Sequence, residues 1–325
     1  MAHHFPPGME QSVAALEAAI WPQLQPLGVT ELRFVVLGTS ARAEFYVGSR
    51  ALAQSASYST AEPRMMPRMP FTRGAPLRGG TALFEYCAGT TLGSCREVNE
   101  DAFAVFARQN ALVVVDGCGG VSSGASAAWL AVAQIERVLA GESDADAGPA
   151  DADVLARAVL SANTVVLHDG QQHRERRGQG ATLCAVRIMP GWVAVAHVGD
   201  CRVGRHRGSE FSWLTQDHSL AAEMQKSGAP EEQIEQAQRD HSTVVTRAVG
   251  VGESLAVDVS YHPTREGDVF LLCSDGLARH VAHARVSSLI AEDSGLTARC
   301  DALLAASEAA GGWDNATVIL ARVLR

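Results

Sequence analysis

"VVVDGCGG", residues 113–120, is a β-branched run that stops on an aspartate and then turns through glycines. The three valines favour an extended strand, because branched side chains pack well on a pleated surface. Gly117, Gly119 and Gly120 permit backbone angles closed to other residues. Asp116 is therefore expected at the end of a strand, where the backbone is free to come close to something. What that carboxylate holds has to be read from the rest of the chain.

The same placement recurs. Asn99-Glu100-Asp101 stands before "AFAVFA" (102–107), Asp200 ends "WVAVAHVGD" (192–200), Asp275 ends "DVFLLCSD" (268–275), and Asp314-Asn315 precedes "ATVIL". A lone strand-end aspartate is commonly a turn residue that bonds its own backbone. Five sites sharing one placement ask for more, since strand ends of two sheets packed face to face can converge at one edge. Carboxylates gathered there repel unless protons or cations neutralise them. The candidate donors are all oxygens, with no histidine or cysteine cluster, and hard oxygen donors select Mg²⁺ or Mn²⁺ over zinc or copper.

Further strand-like runs are "ALVVVD" (111–116), "ATLCAVRIM" (181–189), "CRVGRH" (201–206) and "NATVILARV" (315–323). Helical stretches are expected over 122–140 and 151–169. Strands in adjacent pairs, with 192–206 read as a hairpin, point to antiparallel sheets. Before this body, Val13, Leu16, Ile20 and Leu24 give a helical spacing over 10–24, and "ELRFVVLG" (31–38) and "ARAEFYVG" (41–48) read as two strands. Residues 60–80 hold four prolines, three glycines and four arginines (Arg64, Arg68, Arg73 and Arg78) and read as a linker or extended arm. The acidic "SDADAGPADAD" (143–153) lacks EF-hand spacing and reads as a solvated loop.

The 325 residues, 47% hydrophobic and 19% charged, can bury a sizeable core. A net charge of −9 argues against nucleic acid as a partner and suits cation binding. No apolar run reaches the roughly 20 residues of a membrane span, and "MAHHFPPGMEQ" carries no signal pattern. Seven cysteines, an odd number with no CxxC pair, fit a reduced cytoplasmic protein.

"REVNEDAF" (96–103), "VVVDGCGG" (113–120), "GATLCAV" (180–186), "AHVGDCRVG" (196–204), "LTQDHSL" (214–220), "VVTRAVG" (244–250), "GDVFLLCSDGL" (267–277) and "WDNATVIL" (313–320) resemble, in order, the motif series of the type 2C metal-dependent protein phosphatases, the bacterial ones above all. The resemblance implies an α+β fold, two packed antiparallel β-sheets flanked by helices (an α-β-β-α sandwich), over residues 83–325, with residues 1–80 as an N-terminal extension. It implies a two-ion Mn²⁺ or Mg²⁺ site at one sheet edge. There Asp116 bridges both ions, and Asp275 and Asp314 complete the first. The Gly117 carbonyl and the Glu100 carboxylate serve the second, with Asp101 in support. Asp200, with Asp275, matches the pair that holds a weaker third ion. Arg96 matches the arginine that grips substrate phosphate, and residues 217–245 match a flap beside the site.

Taken singly, Arg96 reads as a surface residue, His197 and His218 as hydrogen-bonded structural histidines, and Cys184, Cys201 and Cys273 as small core residues. Cys118 stands where animal members of the family resemble "DGHGG"; a thiol is a poor proton donor to a leaving alkoxide. The expected activity is hydrolysis of phosphoserine and phosphothreonine by metal-activated water. The expected partners are phosphorylated proteins, a serine/threonine kinase and its substrates. The alternatives are a narrow-target regulatory phosphatase of the same fold and a catalytically weak phosphoprotein-binding module. Intact Asp116, Asp275 and Asp314 argue against the second of these.

Overall fold

Residues 111–115 are apolar at every position, which a strand sustains only when both its faces are covered. The structure, a computed structural model, bears this out. It describes residues 31–37, 40–47, 50–58, 77–119, 123–141, 152–240 and 244–324. In chain order, β1 (Glu31–Leu37), β2 (Ser40–Val47) and β3 (Arg50–Tyr58) precede the main body. The body opens with β4 (Leu77–Gly80), β5 (Phe84–Thr91), β6 (Asp101–Phe106) and β7 (Ala111–Cys118). Next come α1 (Ser123–Ala140), α2 (Ala152–Gln172), β8 (Gly180–Met189), β9 (Trp192–Val198), β10 (Arg202–Arg207) and β11 (Glu210–Trp213). The remainder is α3 (Leu220–Lys226), α4 (Glu231–Asp240), β12 (Asp258–Pro263), β13 (Val269–Cys273), α5 (Asp275–Ala278), α6 (His283–Ala291), α7 (Leu296–Ala309) and β14 (Ala316–Val323).

Two antiparallel sheets form the body. One has the order β11-β10-β13-β14-β5-β4 and the other β12-β9-β8-β7-β6. Side chains alternate between faces along each strand. Leu112 and Val114 of β7 meet Phe270, Leu272 and Ile319 of the opposite sheet in the interlayer core. Val113 and Val115 turn the other way, against Ala127, Ala131 and Ile135 of α1 and Val159 of α2. Leu271 and Leu320 cover the outer face of the six-stranded sheet beneath Leu289 of α6 and Leu303 of α7. Each fully buried Leu or Val contributes about 1.5–3 kcal/mol by removal from water. The expected α-β-β-α sandwich is therefore the observed architecture.

Two expectations change. Residues 192–206 are not a hairpin: β9 pairs with β8 and β12, whereas β10 pairs with β11 and β13 in the other sheet. The chain crosses between sheets at Gly199-Asp200-Cys201. Gly199 has φ +97°, and a Cβ there would lie 2.2 Å from that of Thr182, so the crossover requires glycine. The described end of the 60–80 segment is also not linker, because Leu77–Gly80 pairs antiparallel with β5 as an edge strand. An edge tolerates glycine and arginine that a central strand would not. The expected strand pair at 31–48 is present as β1 and β2, and β3 joins it. The helix expected over 10–24 lies outside the described residues.

The edge strand yields a stability test. A chain cut before residue 77 keeps β4 on β5, whereas one cut before residue 82 leaves the β5 edge bare. The shorter product should melt a few degrees lower by calorimetry. Equal melting temperatures would show that β4 adds nothing to the body.

Candidate metal centre

The interlayer core turns polar at one end. One period-2 step beyond Val114 on β7 is Asp116, and the equivalent steps run from Phe103 to Asp101, Cys184 to Thr182, Leu272 to Ser274 and Ile319 to Thr317. Asp101 stands opposite Asp116 across the strand pair, and Asp116 opposite Thr182. The row that fills the sandwich with leucine and valine thus ends in Asp101, Asp116 and the Thr182 hydroxyl on one sheet and in the Ser274 and Thr317 hydroxyls on the other.

Asp101 is fixed from across the gap. Its Oδ2 accepts hydrogen bonds from Ser274 Oγ and Thr317 Oγ1, both at 2.7 Å. Burial nevertheless pushes its carboxyl up to about 7, with the nearby Asp275 and Asp314 charges adding to the rise. Asp116 is raised well above the ordinary range, first by burial and then by Asp275, Asp101, Asp200 and Asp314. Asp101, Asp200, Asp275 and Asp314 thus lie near enough to Asp116 for their charges to act on it.

Asp275 is the first residue of α5, separated from the end of β13 by Ser274, and its buried Oδ1 has no hydrogen-bond partner among the described residues. Asp314 lies just before β14. Its Oδ1 accepts from Asn315 N at 2.8 Å, and Asn315 Oδ1 in turn accepts from Glu100 N at 2.8 Å. Glu100 receives the Gly124 N–H on Oε1 at 3.2 Å, and burial raises its carboxyl. Gly117 donates its N–H to Glu100 O at 3.1 Å. A Cβ on Gly117 would fall 2.0 Å from Gly124 O, so glycine alone lets the start of α1 close on this strand end.

Two arginines face the carboxylates. Arg96, at the exposed rim, pairs with Asp314 at 2.7 Å. Arg279 pairs with Asp200 at 2.6 Å and Asp275 at 3.0 Å. Asp200 is held up to about 6 by burial and by Asp275, and Arg279 opposes that rise. Sequence reasoning gave Arg96 but not Arg279, Ser274 or Thr317. Ser274 was legible as the residue one step before Asp275 on a strand, and Thr317 by the same period on β14.

As the side chains stand, no three acidic, histidine or cysteine groups among the described residues surround one point closely enough to cage an ion. The donor set still suits a hard divalent cation. It consists of oxygens, Asp275 Oδ1 is unpartnered, and the carboxylates destabilise one another's ionised forms. His218 is fully buried with Nδ1 accepting from Gly199 N at 3.1 Å, and burial brings buried His197 down to about 4. Burial, then Asp200 and Glu100, push the Cys118 thiol up.

Residues 89–311 match the family model described as protein phosphatase 2C. The chain belongs to the protein phosphatase 2C family. It is a metal-dependent protein serine/threonine phosphatase. It is 30% identical over 236 residues to the protein phosphatase PhpP of Streptococcus pneumoniae, covering 71% of this chain and 94% of PhpP. The serine/threonine phosphatase PstP/Ppp of Mycobacterium tuberculosis superposes with a TM-score of 0.67 at 26% identity, over 75% of this chain and 100% of that one. The PstP catalytic domain in complex with two manganese ions gives a TM-score of 0.66 at 25% identity, over 75% and 99%.

Raised carboxyls in a folded site carry a pH signature. Asp101 and Asp200 bind protons in the folded state at pH values where the unfolded chain, near 4, has released them. Stability in EDTA should therefore rise as pH falls from 8 to about 6.5, read as the urea midpoint. Below that, buried His197 and His218, whose protonation is disfavoured, act in the opposite direction. Asp101→Asn should flatten the rise. A midpoint that climbs with pH over this window contradicts the electrostatics described.

Proposed function

We propose that this phosphatase removes phosphate from phosphoserine and phosphothreonine at a pair of Mn²⁺ or Mg²⁺ ions. Asp116, Asp275 and Asp314 would hold one. Asp116, the Gly117 carbonyl and Glu100 would hold the other, with Asp101 braced behind them. The observation that supports this reading is geometric: Asp101 stands opposite Asp116 and is tied across the gap to Ser274 and Thr317, and Arg279 joins Asp200 to Asp275 at the same end. Bound there, the two ions would lower the pKa of a water and offset charge on the phosphate.

The chain's own residues do the rest. Asp101, locked by Ser274 and Thr317, keeps the strand end beneath Asp116 from shifting. Arg96 sits at the mouth with its side chain 46% exposed, so its fork of donors can turn from Asp314 to a phosphate oxygen pair. Burial and the Asp200 and Glu100 charges push the Cys118 thiol up, so in this reading it takes no part as nucleophile or proton donor. A cavity of about 420 Å³ lined by Trp213, Asp217, Ala222, Gln225 and Arg279 lies between β11, α3 and the site. We assign it to the polypeptide flanking the phosphorylated residue. The partners are then phosphoproteins, a serine/threonine kinase and its targets, in the cytoplasm. Among the described residues no helix is long and apolar enough to cross a membrane. Residues 83–325 form the catalytic unit in this reading, with 1–80 as an accessory.

Metal-saturated Asp116→Ala should lose turnover on a phosphothreonine peptide by orders of magnitude while its circular dichroism stays unchanged. Near-wild-type turnover would overturn the two-ion reading. Arg96→Ala should mainly raise KM, about tenfold, because a contact to the ground-state phosphate is lost. Unchanged KM with weakened Mn²⁺ binding would remove Arg96 from the substrate side.

A further inference from the structure

Arg279 is placed unlike the other arginine of the site. Arg96 is at the rim and half exposed, whereas Arg279 is 22% exposed and its two partners are 7% and 11% exposed. Asp200 comes from the crossover between the sheets and Asp275 from the end of β13, so one guanidinium joins carboxylates brought from different sheets. Its Nη2 meets Asp200 Oδ2 and its Nη1 meets Asp275 Oδ2. Its own backbone N–H donates to Asp275 O at 2.8 Å, which fixes the arginine one turn beyond that residue. Ala278 O, one residue before it, accepts from Arg202 Nη1 at 3.2 Å. Arg202 is itself held by Asp217 through two bonds of 2.7 Å, so it is not a competing partner for Asp200.

The division of oxygens is informative. Arg279 takes Oδ2 of Asp275 and leaves the buried Oδ1 without a donor among the described residues. Oδ1 is thus the oxygen available to the ion assigned to Asp116, Asp275 and Asp314. The Asp200–Asp275 side is already balanced by a cation that belongs to the chain. A divalent ion binding between those two residues would have to displace the guanidinium, or sit against it and meet like-charge repulsion in a poorly solvated place.

We infer that Arg279 is a resident cation occupying the position of a third metal ion, so that this phosphatase binds two ions and no more. The inference rests on the two-ion reading given above. Its second consequence is independent of any metal. Without the guanidinium, Asp200 and Asp275 lose their shared cation and their mutual repulsion is no longer opposed by it.

Equilibrium dialysis against Mn²⁺ up to millimolar concentration, with elemental analysis, tests it. Wild type should hold two ions. Arg279→Ala and Arg279→Gln should each hold two plus a weaker third, and Asp200→Ala added to either should bring the count back to two. In EDTA, both single variants should melt a few degrees below wild type, and millimolar Mn²⁺ should close the gap. Two ions on wild type and also on both Arg279 variants would overturn the inference while leaving the two-ion reading in place. So would a third ion on wild type. Fewer than two ions on wild type would overturn both readings.

Discussion

Repulsion among carboxylates buried where two sheets end is the constraint around which this molecule is arranged. A sandwich filled with leucine and valine has no need of charge in its interlayer row, and charge there is costly. Here the row closes on Asp101 and Asp116, with Asp200, Asp275 and Asp314 gathered around them. Each surrounding feature offsets that cost. Ser274 and Thr317 lend hydroxyl protons, Arg96 and Arg279 lend charge, and protons stay on longer than they would in water. Divalent cations complete the list chemically, because they satisfy several oxygens at once.

The layered architecture explains why such a site is open at all. Residues at the same period on facing strands arrive at the same end, so the position of one carboxylate sets the depth of the others. Asn315 then couples two of the loops. It takes the Glu100 N–H on its side-chain oxygen and gives its amide to Leu92 O. The α1 start rests on Gly117, which makes that helix part of the floor of the site. Strand register sets Asp101 opposite Asp116, while the crossover, a helix start and a loop carry Asp200, Asp275 and Asp314 to the same end.

Much of this was legible in the chain. The all-apolar run before Asp116 announces a strand covered on both faces, and the repeated strand-end aspartates announce a common edge. Two things were not legible. The pairing of β9 with β8 but β10 with β13 depends on which sheet each strand joins, and "WVAVAHVGDCRVGRH" reads equally well as one hairpin; the partners that decide it, β8 and β13, lie outside that stretch. Arg279 was invisible for another reason. An arginine four residues after an aspartate is ordinary on a helix, and its second partner, Asp200, is distant in sequence. Short or weakly patterned elements such as β11, β12 and α5 also escaped, because they are held by tertiary contacts and not by their own propensity.

β14 lies between β13 and β5, in the interior of the six-stranded sheet, although it is the last described strand of the chain. During synthesis, β5 and β13 each emerge before the strand that separates them. Until β14 inserts, both present unpaired edges, and Asp314 has no fixed place beside Asp275. Non-local closure of this kind is the slow part of folding. The strand that closes the sheet is thus also the one that Asp314-Asn315 leads into, so sheet closure and the placing of Asp314 near Asp275 are one structural event.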